Sequence, residues 1–290
     1  MADKETIRRL PKDKFPKALL EIPQPPENLW VAGELPPEKS IYLCVVGSRK
    51  FTSYGRDACE KIIAGLKGYP IVIVSGLALG IDAIAHKKAL SVGLKAMVFP
   101  GSGLSPQAMY PKTNAQLAKE ILEQGGCLIS EFEPSFKATL WSFGRRNRLM
   151  AGISKATLII EAGEKSGTMI TARLTTEYNR DLLAVPGSIF SPSSVGTNKL
   201  IRLGATPVTS SDDVLEALGF ERPDKKEKQA KLFADLSEEE SMVVELLREP
   251  LERDELIKKM KMNIASANAL LSIMEIKEII KEELGEIMLA

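Results

Sequence analysis

The chain has 290 residues, 44% of them hydrophobic and 27% charged, with a formal net charge of +1, which is length enough for two domains and a composition typical of globular proteins. No apolar run approaches the roughly 20 residues of a transmembrane helix, and the charged start MADKETIRRLPKDKF lacks the apolar core of a secretory signal. Three scattered cysteines (Cys44, Cys59, Cys127) without a CxxC exclude a disulfide scaffold and give no zinc site, so they read as buried thiols in a reducing cytoplasm; the single histidine, His86, removes multi-histidine metal sites and a Ser-His-Asp triad with a spare imidazole.

Residues 1–40 are proline-rich, with one short helix expected around Pro16–Glu21, and read as an extended lead-in with Trp30 as an apolar anchor. From Ile41 the pattern changes. The runs IYLCVVG, YPIVIVSG, LKAMVFPG, GCLISE, KATLIIEA and DLLAVPG are short, rich in Val, Ile and Leu, and end in small or polar residues. Helical stretches separate them at Gly55–Lys67, Ile81–Ser91, Asn114–Glu123, Leu140–Gly152 and Thr168–Asn179. A last strand near Thr206–Thr209 and a helix at Asp212–Leu218 close the domain. Continuous apolar strands alternating with helices predict an α/β domain over 41–220, an extended Rossmann-like, doubly wound and mostly parallel sheet.

Residues 221–235 are charged and nearly free of large apolar groups, the composition of a linker. Residues 236–290 then hold three amphipathic helices, Glu238–Arg248, Glu252–Met260 and Ile264–Glu275, and a strand pair turning at Gly285; Ser237 opens a capping-box pattern. Three helices and a hairpin predict a small winged-helix domain. The modest net charge hides an asymmetry: residues 41–220 carry 20 basic and 14 acidic side chains, a net +6, whereas 236–290 carry 7 and 13, a net −6. The basic middle fits a polyanionic partner, and the acidic tail argues against DNA binding there.

In an open α/β sheet ligands bind beyond the carboxyl ends of the strands. After the first strand, Gly47-Ser48-Arg49-Lys50 leads into a helix: small residues expose backbone N–H groups, and Arg49 can fork onto phosphate. This is not GxGxxG, so a dinucleotide cofactor is poorly supported. After the second strand, Asp82 is placed to cap a helix with His86 one turn on, a structural cap and a satisfied, half-buried imidazole. Beyond the fourth strand, Phe143 precedes Arg145, Arg146, Asn147 and Arg148, an aromatic beside clustered guanidinium groups, which is the recipe for stacking bases and holding phosphates of a single strand. Lys165 and Ser166 open another helix, and Lys199 sits in a loop of small residues, Gly196-Thr197-Asn198-Lys199. There is no Walker lysine motif, no clustered carboxylate pair for Mg²⁺ and no nucleophile beside a base. The edge is built to hold phosphates and bases rather than to break bonds.

These residues resemble the DNA-processing protein A (DprA/Smf) family. GSR, SGLALGIDAIAH, the Pro100-Gly101 and Tyr110-Pro111 segment, FGRRNRLMAGIS, EAGEKSGTMITA, AVPG and GTNKLIRLGA follow in family order from about Phe15 to Gly204. The resemblance implies a cytoplasmic, non-enzymatic protein that binds single-stranded DNA, forms a homodimer, protects incoming DNA and loads the RecA recombinase in natural transformation, with no required cofactor and no membrane association. It also implies that Arg49, Phe143 and the Arg145–Arg148 run line the DNA pocket. Gly144 stands where the family usually has proline, which leaves the Phe143 loop less rigid; Leu79 stands where a basic residue is frequent; Asn179 replaces a common glycine and can still take a left-handed turn. The helix NIASANALLSIMEI carries no Lys or Arg, so the terminal module reads as a protein-contact or spacing domain. Two other readings stay open. One is a related Rossmann-type enzyme cleaving nucleoside monophosphates, centred on Glu161 and Ser166-Gly167-Thr168. The other is a winged-helix transcription regulator.

Overall fold

A computed structural model describes residues 6–37, 39–220, 236–247, 249–277, 279–283 and 285–289. The chain divides into two compact units at residues 221 and 222. The stretch 221–235, expected as a linker, lies outside the described residues.

The first unit is built on a nine-stranded sheet. Seven strands are parallel neighbours: β3 (Ile41–Val46), β4 (Ile71–Ser75), β5 (Lys95–Val98), β6 (Cys127–Ser130), β7 (Ala156–Ile159), β8 (Asp181–Ala184) and β9 (Thr206–Pro207), in the spatial order β6-β5-β4-β3-β7-β8-β9. The chain winds outward from β3 to β6, then returns to place β7 beside β3 and winds the other way. The switch point therefore lies between β3 and β7. The strands bury both faces. Leu43 and Val45 pack with the helices α2 (Ser53–Ala64), α3 (Ile81–Ser91) and α8 (Ser211–Ala217), while Cys44 and Val46 pack under α5 (Leu140–Ile153), α6 (Thr168–Glu177) and α7 (Val195–Arg202). This alternation is what a doubly wound sheet requires. α4 (Ala115–Glu123) covers the β5–β6 end.

The lead-in does more than precede the sheet. Its strands β1 (Arg8–Arg9) and β2 (Trp30–Gly33) extend the sheet antiparallel beyond β6, with Val31 opposite Ile129. Leu10, Phe15, Leu19, Ile22 and Leu29 enter the core around the short helix α1 (Lys17–Leu20), and Trp30 packs partly buried against the α4 side. A second difference is α7: the segment holding Lys199 is a helix, because Gly196, Thr197 and Leu200 form a buried stripe. Asn179 takes φ +54°, as expected for a residue in a left-handed turn. Cys44, Cys59 and Cys127 are all buried and unbridged; burial raises each thiol, Cys44 and Cys127 to about 12, so they stay protonated.

The second unit runs α9 (Glu238–Leu246), β10 (Leu251–Glu252), α10 (Arg253–Met260), α11 (Ile264–Ile276), β11 (Ile280–Glu283) and β12 (Glu286–Leu289), with the antiparallel order β10-β12-β11. The strand β10 was not expected. Ser237 caps α9 by accepting from the Glu240 amide at 3.2 Å, and the Glu240 carboxylate accepts from Ser237 N at 2.9 Å. Gly285 turns the hairpin at φ +87°. Val243, Leu256, Leu271, Met274 and Ile287 form a core of its own.

Candidate functional site

Three strand-to-helix connections meet at the switch point. The β3 loop is a tight turn in which Ser48 Oγ donates to the Lys50 carbonyl (2.7 Å) and accepts from Lys50 N (3.1 Å). The β4 loop lies directly on it: Ile81 N donates to the Ser48 carbonyl at 3.2 Å, and a Cβ on Gly80, at φ +83°, would stand 2.3 Å from that same oxygen. Only glycine permits this approach and this backbone conformation. The β7 loop is tied in from the other side by Thr168 Oγ1, which donates to the Gly47 carbonyl at 3.1 Å. The helix α5 closes the fourth side. It starts at Thr139, whose N–H donates to Ser142 Oγ (3.0 Å), while Ser142 Oγ donates to the Gly101 carbonyl (2.6 Å) and fixes the helix start against the β5 loop.

The space between is an open cavity of about 680 Å³, the size of a small-molecule or nucleotide pocket. Eight of the eleven residues singled out from sequence line it: Ser48, Arg49, Lys50, Phe143, Arg146, Asn147, Lys165 and Ser166. Phe143 and Gly144 belong to α5 rather than to a loop, because the Ser142 cap starts the helix ahead of them. The Phe143 ring lies on Gly101, where a Cβ would come within 2.4 Å of it. The Arg49 guanidinium sits 5.4 Å above the Phe143 ring, and Tyr110 meets the ring at 5.7 Å and 52°. Arg49, Lys50 and Lys165 are exposed. The rim thus presents exposed cations around a packed aromatic plate.

The floor differs. Arg146 is 4% exposed; it donates to the Phe99 carbonyl and lies so close to Gly76 that a Cβ there would overlap its Nη1. Asp82, 5% exposed, faces it. Asp82 does not cap α3, whose N-cap is Gly80; its carboxylate folds back to accept from Gly76 N at 3.1 Å and Ala78 N at 3.4 Å. Burial pushes the Asp82 carboxyl up, with Arg146 opposing, and pulls the Arg146 guanidinium down, with Asp82 opposing. His86 is fully buried rather than half-buried, and neither ring nitrogen makes a hydrogen bond of normal geometry among the described residues. Burial, only partly offset by the Ser75 backbone, brings its pKa down to about 3, so it is neutral.

The remaining three predicted residues lie elsewhere. Arg145 and Arg148 border a neighbouring basin, and both are bound to Glu131, Arg145 through Nε at 3.1 Å. Arg148 is also bound to the Gln24 carbonyl at 2.5 Å and is buried, so its charge is committed to structure. Lys199 is exposed near the end of α7 and lines neither space. Tyr110 and Trp141 were missed. Trp141 lines the cavity, with Arg145 6.0 Å from its ring, and it stands two residues before Phe143 in the run that drew attention to the arginines. The signal for Tyr110 was its place in the Tyr110-Pro111 motif. Glu161 borders a separate cavity of about 530 Å³. Its carboxylate accepts from Thr52 N (3.0 Å), Thr52 Oγ1 (2.6 Å) and Ser193 Oγ (3.0 Å), which fixes the start of α2. Among the described residues no group of three or more His, Cys, Asp and Glu side chains could hold a metal ion. No helix there is long and apolar enough to cross a membrane.

Fold and cavity together define an extended Rossmann-like protein with a cationic, aromatic-rimmed cleft at its topological switch point. Comparison with known proteins gives the family: the model of DNA recombination-mediator protein A matches residues 7–219. Protein Smf of Escherichia coli is 41% identical over 206 residues, which cover 71% of this chain and 54% of that protein. DNA processing protein DprA of Streptococcus pneumoniae is 39% identical over 208 residues, covering 72% of each. Its solved structure superposes with a TM-score of 0.68 over 74% of this chain and 75% of that one, at 36% identity. DNA processing protein A from Helicobacter pylori, whose structure concerns its single-stranded DNA binding mode, gives 0.66 over 73% and 95%, at 30% identity. The chain belongs to the DNA recombination-mediator protein A (DprA/Smf) family, and its match spans about half the length of the E. coli relative.

Proposed function

We propose that the cavity binds single-stranded DNA without altering it covalently, and that the protein works as a homodimer in the cytoplasm, protecting incoming strands and delivering them to the RecA recombinase. The observation that carries this reading is the Arg49–Phe143 pair at the mouth of the cavity. A planar cation over an aromatic plate, with Lys50 and Lys165 beside it, takes up a base by stacking and its phosphate by ion pairing, with no demand on base identity. The relative from Helicobacter pylori supports it, since its structure concerns single-stranded DNA.

The nucleoside-cleaving alternative finds less support. It needs Glu161 beside the Ser166-Gly167-Thr168 turn, yet Glu161 is held by three donors and borders another cavity. We read the second unit as a winged-helix module for protein contact: α11 carries no Lys or Arg, and Ile264, Ile273 and Ile276 are exposed along it.

A gel shift with single- and double-stranded oligonucleotides of one sequence, at two salt concentrations, tests the reading. The single strand is expected to bind at far lower protein concentration, with affinity falling as salt rises. Preference for the duplex would overturn it, as would release of free base from nucleoside monophosphates.

A further inference from the structure

We propose that the single-strand track continues out of the cavity across Gly144 into a second basin, where Arg145 and Arg173 receive further phosphates. The inference rests on the single-strand reading of the cavity and extends it to the length and path of the strand.

The second basin has a volume of about 560 Å³ and lies between α5, α6 and the Pro23–Gln24 segment. It shares two residues with the main cavity, Gly144 and Ile170, so the two spaces meet along that line. The helix explains the division. Residues on α5 advance by about 100° each, which turns Phe143, Arg146, Asn147 and Met150 to the cavity and Arg145 and Arg148 to the basin. Gly144 stands on the ridge between.

Nothing among the described residues accounts for a glycine there. A Cβ built on Gly144 meets no atom of another described element within 4 Å, and its backbone is not in the left-handed region. Glycine inside a helix costs about 1 kcal/mol relative to alanine. What the missing side chain does provide is a low saddle between the two spaces, and any larger residue would raise it.

The basin has the chemistry of the cavity. Arg145 and Arg148 share the single carboxylate of Glu131, which leaves one positive charge uncompensated. Among the described residues Arg173 pairs with Glu177, one turn along α6, at 3.4 Å with both side chains more than half exposed. Such a pair contributes little and gives way readily to phosphate. Tyr178 adds an aromatic surface.

The test measures affinity and salt dependence for oligothymidylates from about 4 to about 16 nucleotides, the range of single-strand site sizes. For the wild type the log–log salt slope is expected to steepen by about 0.7 for each phosphate gained in the basin. Arg173→Ala should leave the shortest strands unaffected and remove this increment for the longer ones. Gly144→Leu, with open space for its side chain and a better helix former in place, should shorten the strand length at which affinity stops rising. If both variants follow the wild type along the whole series, the basin is not on the track. If the wild type binds no strand of any length, the single-strand reading itself falls.

Discussion

The floor and the rim of the cavity use the same residue type for opposite purposes. On the rim, Arg49 is exposed and lies over the Phe143 ring. On the floor, Arg146 is buried, donates to a backbone carbonyl and faces a buried carboxylate. A guanidinium in water is free to exchange partners, whereas one stripped of water must keep them. A cluster of arginines is therefore not one binding patch: some of its members build the surface that the others use.

The sharpest way to break this distinction is Arg146→Ala. It should remove the charge that opposes the buried Asp82 carboxyl and the donor to the Phe99 carbonyl, a loss of about 1–3 kcal/mol of stability. The urea midpoint would fall steeply, and Asp82→Ala in the same chain should restore part of the loss. If Arg146→Ala unfolds at the wild-type midpoint and only weakens DNA binding, Arg146 belongs with the rim.

His86 gives the floor a pH signature. Its folded pKa of about 3 lies below the ordinary 6.5, so the unfolded chain binds a proton more readily than the folded one. Stability from this group is fully present above pH 6.5 and is lost as pH falls towards 3. The limiting slope is about 1.4 kcal/mol per pH unit, or about 2 kcal/mol by pH 5. Subtracting the stability curve of His86→Leu from that of the wild type should isolate this slope; parallel curves would place the imidazole in contact with water.

Much of this was legible in the sequence because it depends on local pattern. Apolar runs ending in small residues marked the strands, and ligand-binding loops follow from where such strands stop. The Rossmann-like core and eight residues of the cavity came from that logic. What sequence did not show is what a side chain faces after folding. Arg145, Arg146, Asn147 and Arg148 are adjacent in the chain but divide between two spaces on either side of one helix, and Arg148 meets Gln24 across 124 positions. The β1–β2 addition escaped for a related reason: a proline-rich segment with few β-branched residues becomes strand only because the open edge of β6 supplies its hydrogen bonds. Lys199 was misplaced because its small neighbours resemble a loop, while their burial against β8 makes a helix.

The rim predicts smaller effects, confined to binding. Phe143→Ala should weaken single-strand binding by about 1–3 kcal/mol if a base stacks on the ring. Unchanged affinity would make the ring a packing element for Gly101 and Tyr110. Arg49→Ala should leave stability within about 0.5 kcal/mol, as expected for an exposed side chain. It should also make the salt slope shallower by about 0.7, the share of one phosphate on a single strand. Arg49→Lys separates its two contributions. It keeps the charge, so the slope should stay at the wild-type value, but lysine has no planar fork to lie on the Phe143 ring or to grip two phosphate oxygens, so affinity should still fall at every salt concentration. If lysine restores slope and affinity alike, Arg49 serves as a point charge alone, and the stacked geometry at the cavity mouth has no part in holding the strand.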